Sequence, residues 1–367
     1  MWPSANTVSL HCNPPHLRSH SCTLRKTWLI VLLTCGLLIL AGLGAAWWLL
    51  QRPNVRESAF GPAYLYIGTG ADYGAVLDSL RHYELLQDEQ TFDRVARWYN
   101  YPQQVRPGRY QLRPGMGNRA LVQMLARGEQ DTVAFTLNAF KYKPQLARQL
   151  ARAFEADSAS LRRLLNDNAY LQRRYQLDTT TVLTLFLPGP YRLLWNSSAP
   201  QLLDSAAATY ARFWTPERRR RADSLGLSPT QVHVLASIVQ RETAKPTDKP
   251  IIAGAYLNRL RKGMRLQADP TLLWAIGNFG VKRVLNKDKL VDSPYNTYKH
   301  KGLPPGPITS ANRQSLDAVL RPTRHNYVFF VARPDGSGFS DFAETYAEHL
   351  QNARRYQRRL DSLGVKR

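Results

Sequence analysis

The sequence predicts an α+β protein with a single N-terminal transmembrane helix. Strand-like and helix-like segments follow residue 62 without the regular alternation that repeated βαβ units require. An uncharged, apolar run of 24 residues precedes them. The chain of 367 residues is long enough for two domains beyond this run, which we place at 63–128 and 129–367.

The uncharged run extends from Thr27 to Leu50 and is long enough to cross a membrane as a helix. At 1.5 Å per residue it spans about 36 Å, whereas a hydrocarbon core is about 30 Å thick. Trp47 and Trp48 lie at its C-terminal end, where indole rings favour the membrane interface. A cleaved signal peptide, with Gly44-Ala45-Ala46 as the cleavage site, is the alternative. The length of the run favours an uncleaved anchor.

The charges that flank the anchor favour a cytoplasmic N-terminus. Arg25 and Lys26 precede the run, and residues 1–50 contain no acidic residue. The bias is small because Arg52 follows closely. We expect residues 1–26 to form a cytoplasmic tail, residues 27–50 to span the membrane, and residues 51–367 to lie outside the cytoplasm.

The cysteine residues suggest neither disulfides nor a metal site in the larger part of the chain. All three of them, Cys12, Cys22 and Cys35, lie in the tail or the anchor. His11 and His16 lie near the first two, but the spacing matches no zinc-binding motif. We therefore expect an unstructured tail, and we expect no cofactor.

The strongly basic composition predicts a polyanionic partner. The sequence has 50 Lys and Arg residues against 27 Asp and Glu residues, a net charge of +23. Nucleic acid, anionic lipid and an acidic cell-wall polymer all fit such a charge. The arginines are scattered along helical segments without interleaved aromatic residues, and no phosphate-binding motif is present. Nucleic acid is therefore the least expected partner.

A short linker at 51–62 leads into a small βααβ module. Asp72 is a suitable N-cap for its first helix, and Gly128 ends its last helix. We expect strands at 63–67 and 109–112 and helices at 73–83, 91–99 and 117–128.

The remainder of the chain alternates a few strands with many helices. Residues 181–198 are apolar and proline-rich, which indicates a buried loop or strand. The segments 263–277 and 293–308 are predicted to be irregular. We further expect a strand at 132–137, helices at 200–213, 216–225 and 250–262, and an amphipathic closing helix at 342–363.

One of these helices places a carboxyl group on its buried side. Residues 231–244 predict a helix that Ser228 caps and Pro229 begins. Glu242 extends, by three positions, an apolar stripe with helical spacing, formed by Val232, Leu235, Ala236 and Val239. Burial of an ionised carboxylate is unfavourable, so its pKa should rise toward the range of a general acid. The alternative is a solvated or ion-paired glutamate near the helix end.

Several segments resemble the endolytic murein transglycosylase family (MltG, YceG-like). These segments are SIVQRET at 237–243, AYLNRLRKGMRLQADPT at 255–271 and SPYNTYKHKGLPPGPI at 293–308. GRYQLRPGM at 108–116, with the following LVQMLARG, resembles the LysM-like membrane-proximal part of that family. The resemblance covers about residues 60–350 of this chain.

The resemblance implies an inner-membrane enzyme that cuts peptidoglycan glycan strands outside the cytoplasm. It makes 63–128 a LysM-like module and 129–367 the catalytic domain. The second glutamate of an ExE pair is the catalytic acid of the family, and here the pair reads Gln240-Arg241-Glu242. Glu242 is therefore the catalytic candidate.

The chemistry of such an enzyme needs a single carboxyl group. A lytic transglycosylase protonates the departing oxygen and then lets the sugar's own 6-hydroxyl close a 1,6-anhydro ring, whereas a hydrolase uses a second carboxylate. Glu242 fits the double role of acid and base. The activity would terminate or trim nascent strands, and it suggests peptidoglycan synthases as partners.

The resembling segments also provide candidate substrate-binding residues. Asp269 is the rival second carboxylate, although a turn residue bonded to local backbone N–H groups is an equal alternative. Six side chains are candidates for contacts with N-acetyl sugars, and two arginines are candidates for contacts with substrate carboxylates, although an exposed arginine on a helix is the commoner situation. The substrate-binding candidates are Gln267, Asp269, Asn296, Thr297, Tyr298 and Tyr191, with Arg259 and Arg265 as further possibilities.

Two further segments bear on the resemblance to this family. FLPGPYRLLW departs from the family pattern because Gly189 and Pro190 replace a polar pair, which leaves Tyr191 and Trp195. GLPPGP at 302–307 should set the shape of a rigid loop. A non-catalytic peptidoglycan-binding scaffold and a hydrolase that uses Glu242 with Asp269 remain alternatives.

Overall fold

The structure is a computed structural model that describes residues 20–57, 61–277 and 284–362. Most of the predicted tail, including Cys12 and the neighbouring His11 and His16, lies outside the described residues. The described chain mixes helices with short strands, as an α+β protein does.

The N-terminal anchor is a single long helix, α1 (His20–Gln51). Its stretch Trp28–Gln51 is long and apolar enough to cross a membrane, and its large apolar side chains are exposed. Trp47 and Trp48 lie at the end of the helix, and the guanidinium of Arg52 lies 4.7 Å from the centre of the Trp48 ring.

The residues just after α1 are packed, although the sequence predicts a linker there. Asn54 and Val55 are buried, and Pro53 and Val55 form isolated bridges with Gly117 and Leu86. The Asn54 side chain donates to the backbone carbonyl of Asp88 at 2.7 Å and accepts from its backbone N–H at 2.7 Å. Apolar burial and satisfied amide groups explain why this segment does not behave as a free tether.

Two compact units make up the described chain. The first contains α1 and the described residues up to 65, with 71–106 and 110–129. Its helices are α2 (Tyr73–His82), α3 (Glu89–Trp98) and α4 (Asn118–Arg127). Asp72 caps α2 by accepting from the backbone N–H of Ala75, and Gly128 ends α4 in a left-handed conformation, as predicted. Strands β1 (Ala63–Ile67) and β2 (Gly108–Leu112) pair with each other.

The second unit contains residues 66–70 and 107–109 and the described residues from 130 onward. Its N-terminal half pairs β3 with β4 in an antiparallel manner, with Phe135 opposite Tyr191. The elements of this half are β3 (Thr132–Leu137), α5 (Lys143–Ala153), α6 (Ser158–Leu165), α7 (Asn168–Tyr175), β4 (Gly189–Leu194) and α8 (Ala199–Phe213). Their apolar side chains form one core cluster.

The C-terminal half of the second unit forms another core cluster around three packed helices, and this half carries the resembling segments. Its elements are α9 (Pro216–Ser224), α10 (Pro229–Glu242), α11 (Asp248–Arg261), α12 (Asp269–Ile276), α13 (Arg313–Leu320), β5 (Phe329–Ala332), β6 (Ser340–Ala343) and α14 (Tyr346–Ser362). The three packed helices are α10, α11 and α13.

The C-terminal part differs from the sequence prediction in its strands and helix ends. The closing helix begins at Tyr346, because Phe342 belongs to β6 and pairs with Phe330 of β5. The turn between these strands contains Gly336 and Gly338, both with positive φ, which lets the chain reverse. The stretch 263–277, predicted to be irregular, contains α12.

Candidate active site

Helix α10 carries Glu242 as its last residue. Ser228 and Gln231 form a reciprocal capping box at its start, and Pro229 occupies the first turn. The predicted apolar stripe is buried as expected, and residues 232–239 are all buried. Thr243 then takes an extended conformation, which ends the helix directly after the carboxylate.

The Glu242 carboxyl group lies in a desolvated position next to α11. The hydroxyl of Tyr256 donates to its Oε1 atom at 2.5 Å. Burial raises the pKa of Glu242 to about 7, the nearby Asp269 charge also raises it, and the Tyr256 hydrogen bond and the Arg259 charge act in the opposite direction. The residue as a whole is half-buried. A carboxyl group with this pKa exchanges protons readily near neutral pH.

Arg259 is the cation of the site, and it is buried rather than exposed. Its Nε donates to the backbone carbonyl of Val328 at 2.6 Å, and its Nη1 donates to the carbonyl of Leu266 at 2.5 Å. Burial lowers the pKa of Arg259. Its guanidinium therefore joins α11 to two other segments, while Arg265, the second arginine candidate, is exposed.

Asp269 and Tyr298 form a second polar pair of the site. Asp269 is the first residue of α12, and its Oδ1 atom accepts from the Tyr298 hydroxyl at 2.5 Å. The expected turn with carboxylate bonds to local backbone N–H groups is thus replaced by a helix start and a bond to a side chain. The charge of Asp269 acts on the Glu242 carboxyl group, so we treat the two carboxyl groups as parts of one site.

Asn296 and Thr297 organise the loop that presents Tyr298. The Asn296 amide donates to the carbonyls of Lys289 and Val291, and its oxygen accepts from the backbone N–H of Tyr298. The Thr297 hydroxyl accepts from the backbone N–H of Ala268 at 3.0 Å. Both side chains are buried, so the geometry assigns them first to the shape of the loop.

The remaining two candidates lie in different surroundings. Gln267 is exposed and has a left-handed backbone with φ of 48°, which is uncommon for a residue other than glycine. Its backbone N–H donates to the carbonyl of Thr297, so it lies beside the loop. Tyr191 is buried in the N-terminal core cluster of the second unit, where its hydroxyl donates to the carbonyl of Leu187. Its role in sugar binding stays a prediction.

The loop at 302–307 is held tightly, in agreement with a shape-setting role. A Cβ atom on Gly306 would lie 2.3 Å from the carbonyl oxygen of Thr180 and 2.9 Å from the Tyr295 hydroxyl oxygen. Only glycine fits there without a shift of the backbone. The next residue after the loop, Ile308, donates its N–H to the Ser237 hydroxyl of α10 at 3.1 Å.

Gln240, two residues before Glu242 on α10, belongs to a polar cluster that also includes residues of α11 and α13. Its Oε1 accepts from the Ser315 hydroxyl at 2.5 Å and from the Lys249 ammonium at 3.3 Å. Lys249 also donates to Ser315 at 3.0 Å and to Gln314 at 3.4 Å. All these acceptors are neutral, and burial lowers the pKa of Lys249.

Sequence reasoning did not identify Tyr256 or Lys249 as residues of interest, and it did not predict that Arg259 is buried. A usable signal existed for Tyr256, which lies on the apolar face of the helix that follows Glu242. A buried tyrosine hydroxyl needs an acceptor, and Glu242 is a polar group on the buried stripe of the preceding helix. The described residues contain no group of three or more His, Cys, Asp or Glu side chains suited to a metal ion.

Comparisons with known proteins agree on one family. A model of the YceG-like family matches residues 65–355. An endolytic murein transglycosylase of Bacillus subtilis (strain 168) is 28% identical over 308 residues, which cover 79% of this chain and 83% of the relative. One of Streptococcus pneumoniae serotype 2 is 32% identical over 149 residues, which cover 40% of this chain and 27% of the relative.

A solved structure resembles the fold. The 2.6 Å crystal structure of a YceG-like protein from Listeria monocytogenes has 25% sequence identity to this chain and a TM-score of 0.50. The similarity covers 79% of this chain and 99% of that one.

Proposed function

The chain belongs to the YceG-like family, and we infer that it is a lytic transglycosylase of peptidoglycan. It cleaves the bond between N-acetylmuramic acid and N-acetylglucosamine within glycan strands and leaves 1,6-anhydro ends. The activity suits the termination or trimming of nascent strands. The strongly basic chain is also suited to an acidic cell-wall polymer.

The observation that carries this proposal is the desolvated Glu242 carboxyl group with its pKa near neutrality. In the first step the protonated carboxyl group donates its proton to the departing glycosidic oxygen, and positive charge develops at C1 of the muramic acid. In the second step the carboxylate accepts the proton of the 6-hydroxyl as that oxygen bonds to C1. One carboxyl group thus completes the cycle, and no water enters the product.

The other groups of the site surround the reacting carboxyl group. We assign Asp269, Tyr298 and Gln267 to contacts with the sugar, since all three retain exposed surface. Asn296 and Thr297 act by fixing the loop that carries Tyr298. Tyr191 belongs to the proposal only as a further candidate, because its side chain is buried and its hydroxyl already has a partner.

Substitution of Glu242 tests the assignment directly. Glu242→Gln keeps the size and the acceptor for Tyr256 but cannot donate a proton as an acid does, so the release of soluble fragments from purified murein should fall by at least about 10²-fold. Glu217→Gln is the matched control, because Glu217 is an exposed glutamate on α9 of the same unit. Near-normal turnover by Glu242→Gln would overturn the assignment.

A two-carboxylate hydrolase is the second candidate, and the proximity of Asp269 to Glu242 favours it. A hydrolase would use Asp269 as nucleophile or as base for water. The bond between Asp269 and the Tyr298 hydroxyl argues for a binding role, since it occupies one carboxylate oxygen. The oxygen atoms of the product distinguish the two reactions.

We place the chain in the inner membrane through α1, with the larger part outside the cytoplasm. The basic residues before α1 and the absence of acidic residues from the first 50 support this orientation. The first unit corresponds to the proposed LysM-like module and the second to the proposed catalytic domain. Peptidoglycan synthases are the partners that this location suggests.

A further inference from the structure

The hydrogen bond between Tyr256 and Glu242 is fixed by the protein and does not depend on a substrate. Tyr256 is 1% exposed and belongs to the core cluster around α10, α11 and α13. Its ring packs edge-to-face against Phe330, with ring centres 5.6 Å apart. A tyrosine in such packing cannot move its hydroxyl away, so Glu242 meets the same donor at every stage of the reaction.

This donor makes the two oxygens of the Glu242 carboxyl group unequal. The Tyr256 hydroxyl donates to Oε1, so Oε1 acts as the acceptor in this structure. A protonated carboxyl group carries its proton on one oxygen, and that oxygen is then the donor. Because Oε1 already accepts, the exchangeable proton belongs on Oε2.

We propose that Tyr256 is a positioning residue that holds Oε1 of Glu242 and thereby leaves Oε2 as the oxygen that exchanges a proton with the glycan. This inference rests on the proposed function, because it describes the orientation of that function's acid. In the first step Oε2 gives its proton to the departing oxygen, and the C1–O bond breaks with its electron pair on that oxygen. In the second step Oε2 takes the proton of the 6-hydroxyl as the O6–C1 bond forms.

The charged groups around Glu242 act in opposite directions on this cycle. On α11, the Tyr256 hydroxyl and the Arg259 guanidinium favour the ionised form, and on α12 Asp269 disfavours it. On the loop, Tyr298 faces the same site and donates to Asp269. Tyr256 therefore supports the carboxylate that forms between the two steps, since hydrogen bonds to ionised acceptors are the stronger ones.

Tyr256 and Asp269 have opposite effects on the pKa of Glu242, and a merely structural role of Tyr256 would not produce the shifts that follow from this. Tyr256→Phe removes one hydroxyl from a buried ring and should move the midpoint of the pH–rate profile for murein cleavage upward by about one pH unit. Asp269→Asn removes the neighbouring negative charge and should move the midpoint downward. Tyr256→Phe should also lower kcat at pH 7 by about tenfold or more, with a smaller change in KM.

Tyr175→Phe provides the matched control. The Tyr175 hydroxyl also donates to a carboxylate, Oδ1 of Asp204, at 2.8 Å, but this pair joins α7 to α8. The control should leave the midpoint unchanged. Thermal melting at pH 5 checks that each variant is folded.

Each result is decisive for the proposal. Opposite shifts for Tyr256→Phe and Asp269→Asn, with no shift for Tyr175→Phe, are the expected result. A folded Tyr256→Phe with an unchanged midpoint, or shifts of the same sign in both variants, would overturn the positioning role. Glu242→Gln distinguishes a failure of this inference from a failure of the proposed function. If Glu242→Gln is inactive but the pH–rate profile of Tyr256→Phe is unchanged, only this inference is rejected. If Glu242→Gln stays active, the proposed function itself is rejected.

Discussion

At the scale of single residues, Glu242 combines two properties that oppose each other in a folded protein. Its place on a buried stripe disfavours the charged form, whereas the reaction requires that form between the two proton transfers. The Tyr256 hydroxyl and the Arg259 guanidinium compensate in part by favouring the carboxylate. The site therefore holds a carboxyl group that is stable enough in both states to alternate between them.

This opposition predicts that the inactive variant is more stable than the wild type at alkaline pH. Burial raises the pKa of Glu242 from 4.5, the ordinary value of a glutamate, to about 7 in the folded state. The unfolded chain ionises first, so stability is lost as the pH rises from the lower to the higher value, by on the order of 3 kcal/mol. Glu242→Gln lacks this loss.

Thermal melting at two pH values measures the effect. Glu242→Gln should melt at a higher temperature than the wild type at pH 8, and the difference should be close to zero at pH 4. An equal difference at both pH values would mean that the pKa of Glu242 is not raised in the folded protein. Glu344→Gln, at an exposed position of the same unit, is the control for this measurement.

Sequence reasoning reached Glu242 but not the groups that surround it. Helical spacing alone puts this residue on the buried stripe, because periodicity within one helix is a local property. The contacts from Tyr256 and Arg259 depend on how α10 and α11 pack, and that arrangement is not local. Asp269 illustrates the same limit, since its partner Tyr298 comes from a loop 29 residues later.

At the scale of elements, a buried lysine joins three helices behind the site. Lys249 of α11 bonds to Gln240 of α10 and to Ser315 of α13, and all its acceptors among the described contacts are neutral. A buried ammonium without a carboxylate partner is less favourable than an ion pair with good geometry. The position of Gln240 is the one where the resembling family has the first acid of its pair.

We predict that Gln240→Glu stabilises the second unit. The new carboxylate would lie where the Gln240 oxygen accepts from Lys249 and Ser315, so it would form a charge-assisted pair worth about 1 kcal/mol or more. Gln314→Glu is the comparison, because Gln314 is exposed and should contribute less. The free energy of unfolding in urea at pH 7 measures both. A Gln240→Glu variant that is less stable than the wild type would contradict a charged Lys249.

The elements themselves were predictable where their signals are local. Capping residues and apolar periodicity predicted α2, α4 and α10 with their ends at Asp72, Gly128 and Ser228. The β5–β6 pair escaped prediction because each strand has four residues, too few for a period-two pattern. The packed segment 53–55 escaped it because Asn54 finds its partners on α3 and α4, 34 to 64 residues away.

At the scale of the whole molecule, the long apolar helix and the basic charge support the proposed location at a membrane. The stretch Trp28–Gln51 is the segment of the described chain that is long and apolar enough to cross a membrane. A net charge of +23 suits an environment that contains anionic polymers. Together with the family membership, these features fit the proposal of a cell-wall enzyme that α1 tethers to the membrane.

The topology predicts where a C-terminal reporter is active. A phosphatase that folds only outside the cytoplasm should be active when it is fused after Arg367, because the basic residues before α1 favour a cytoplasmic N-terminus. A fluorescent protein that folds only in the cytoplasm should be dark in the same position. The reverse result would place the catalytic carboxyl group on the wrong side of the membrane for its substrate.

Digestion of murein in heavy-oxygen water is the most direct test of the central claim, that Glu242 acts alone and the sugar supplies the attacking hydroxyl. Mass spectrometry of the fragments should show 1,6-anhydro-N-acetylmuramic acid ends without solvent oxygen. Cuts should occur within strands as well as at their ends. Fragments that carry one labelled oxygen and a reducible end would show that water attacks C1, and they would make Asp269 or another acid a catalytic partner.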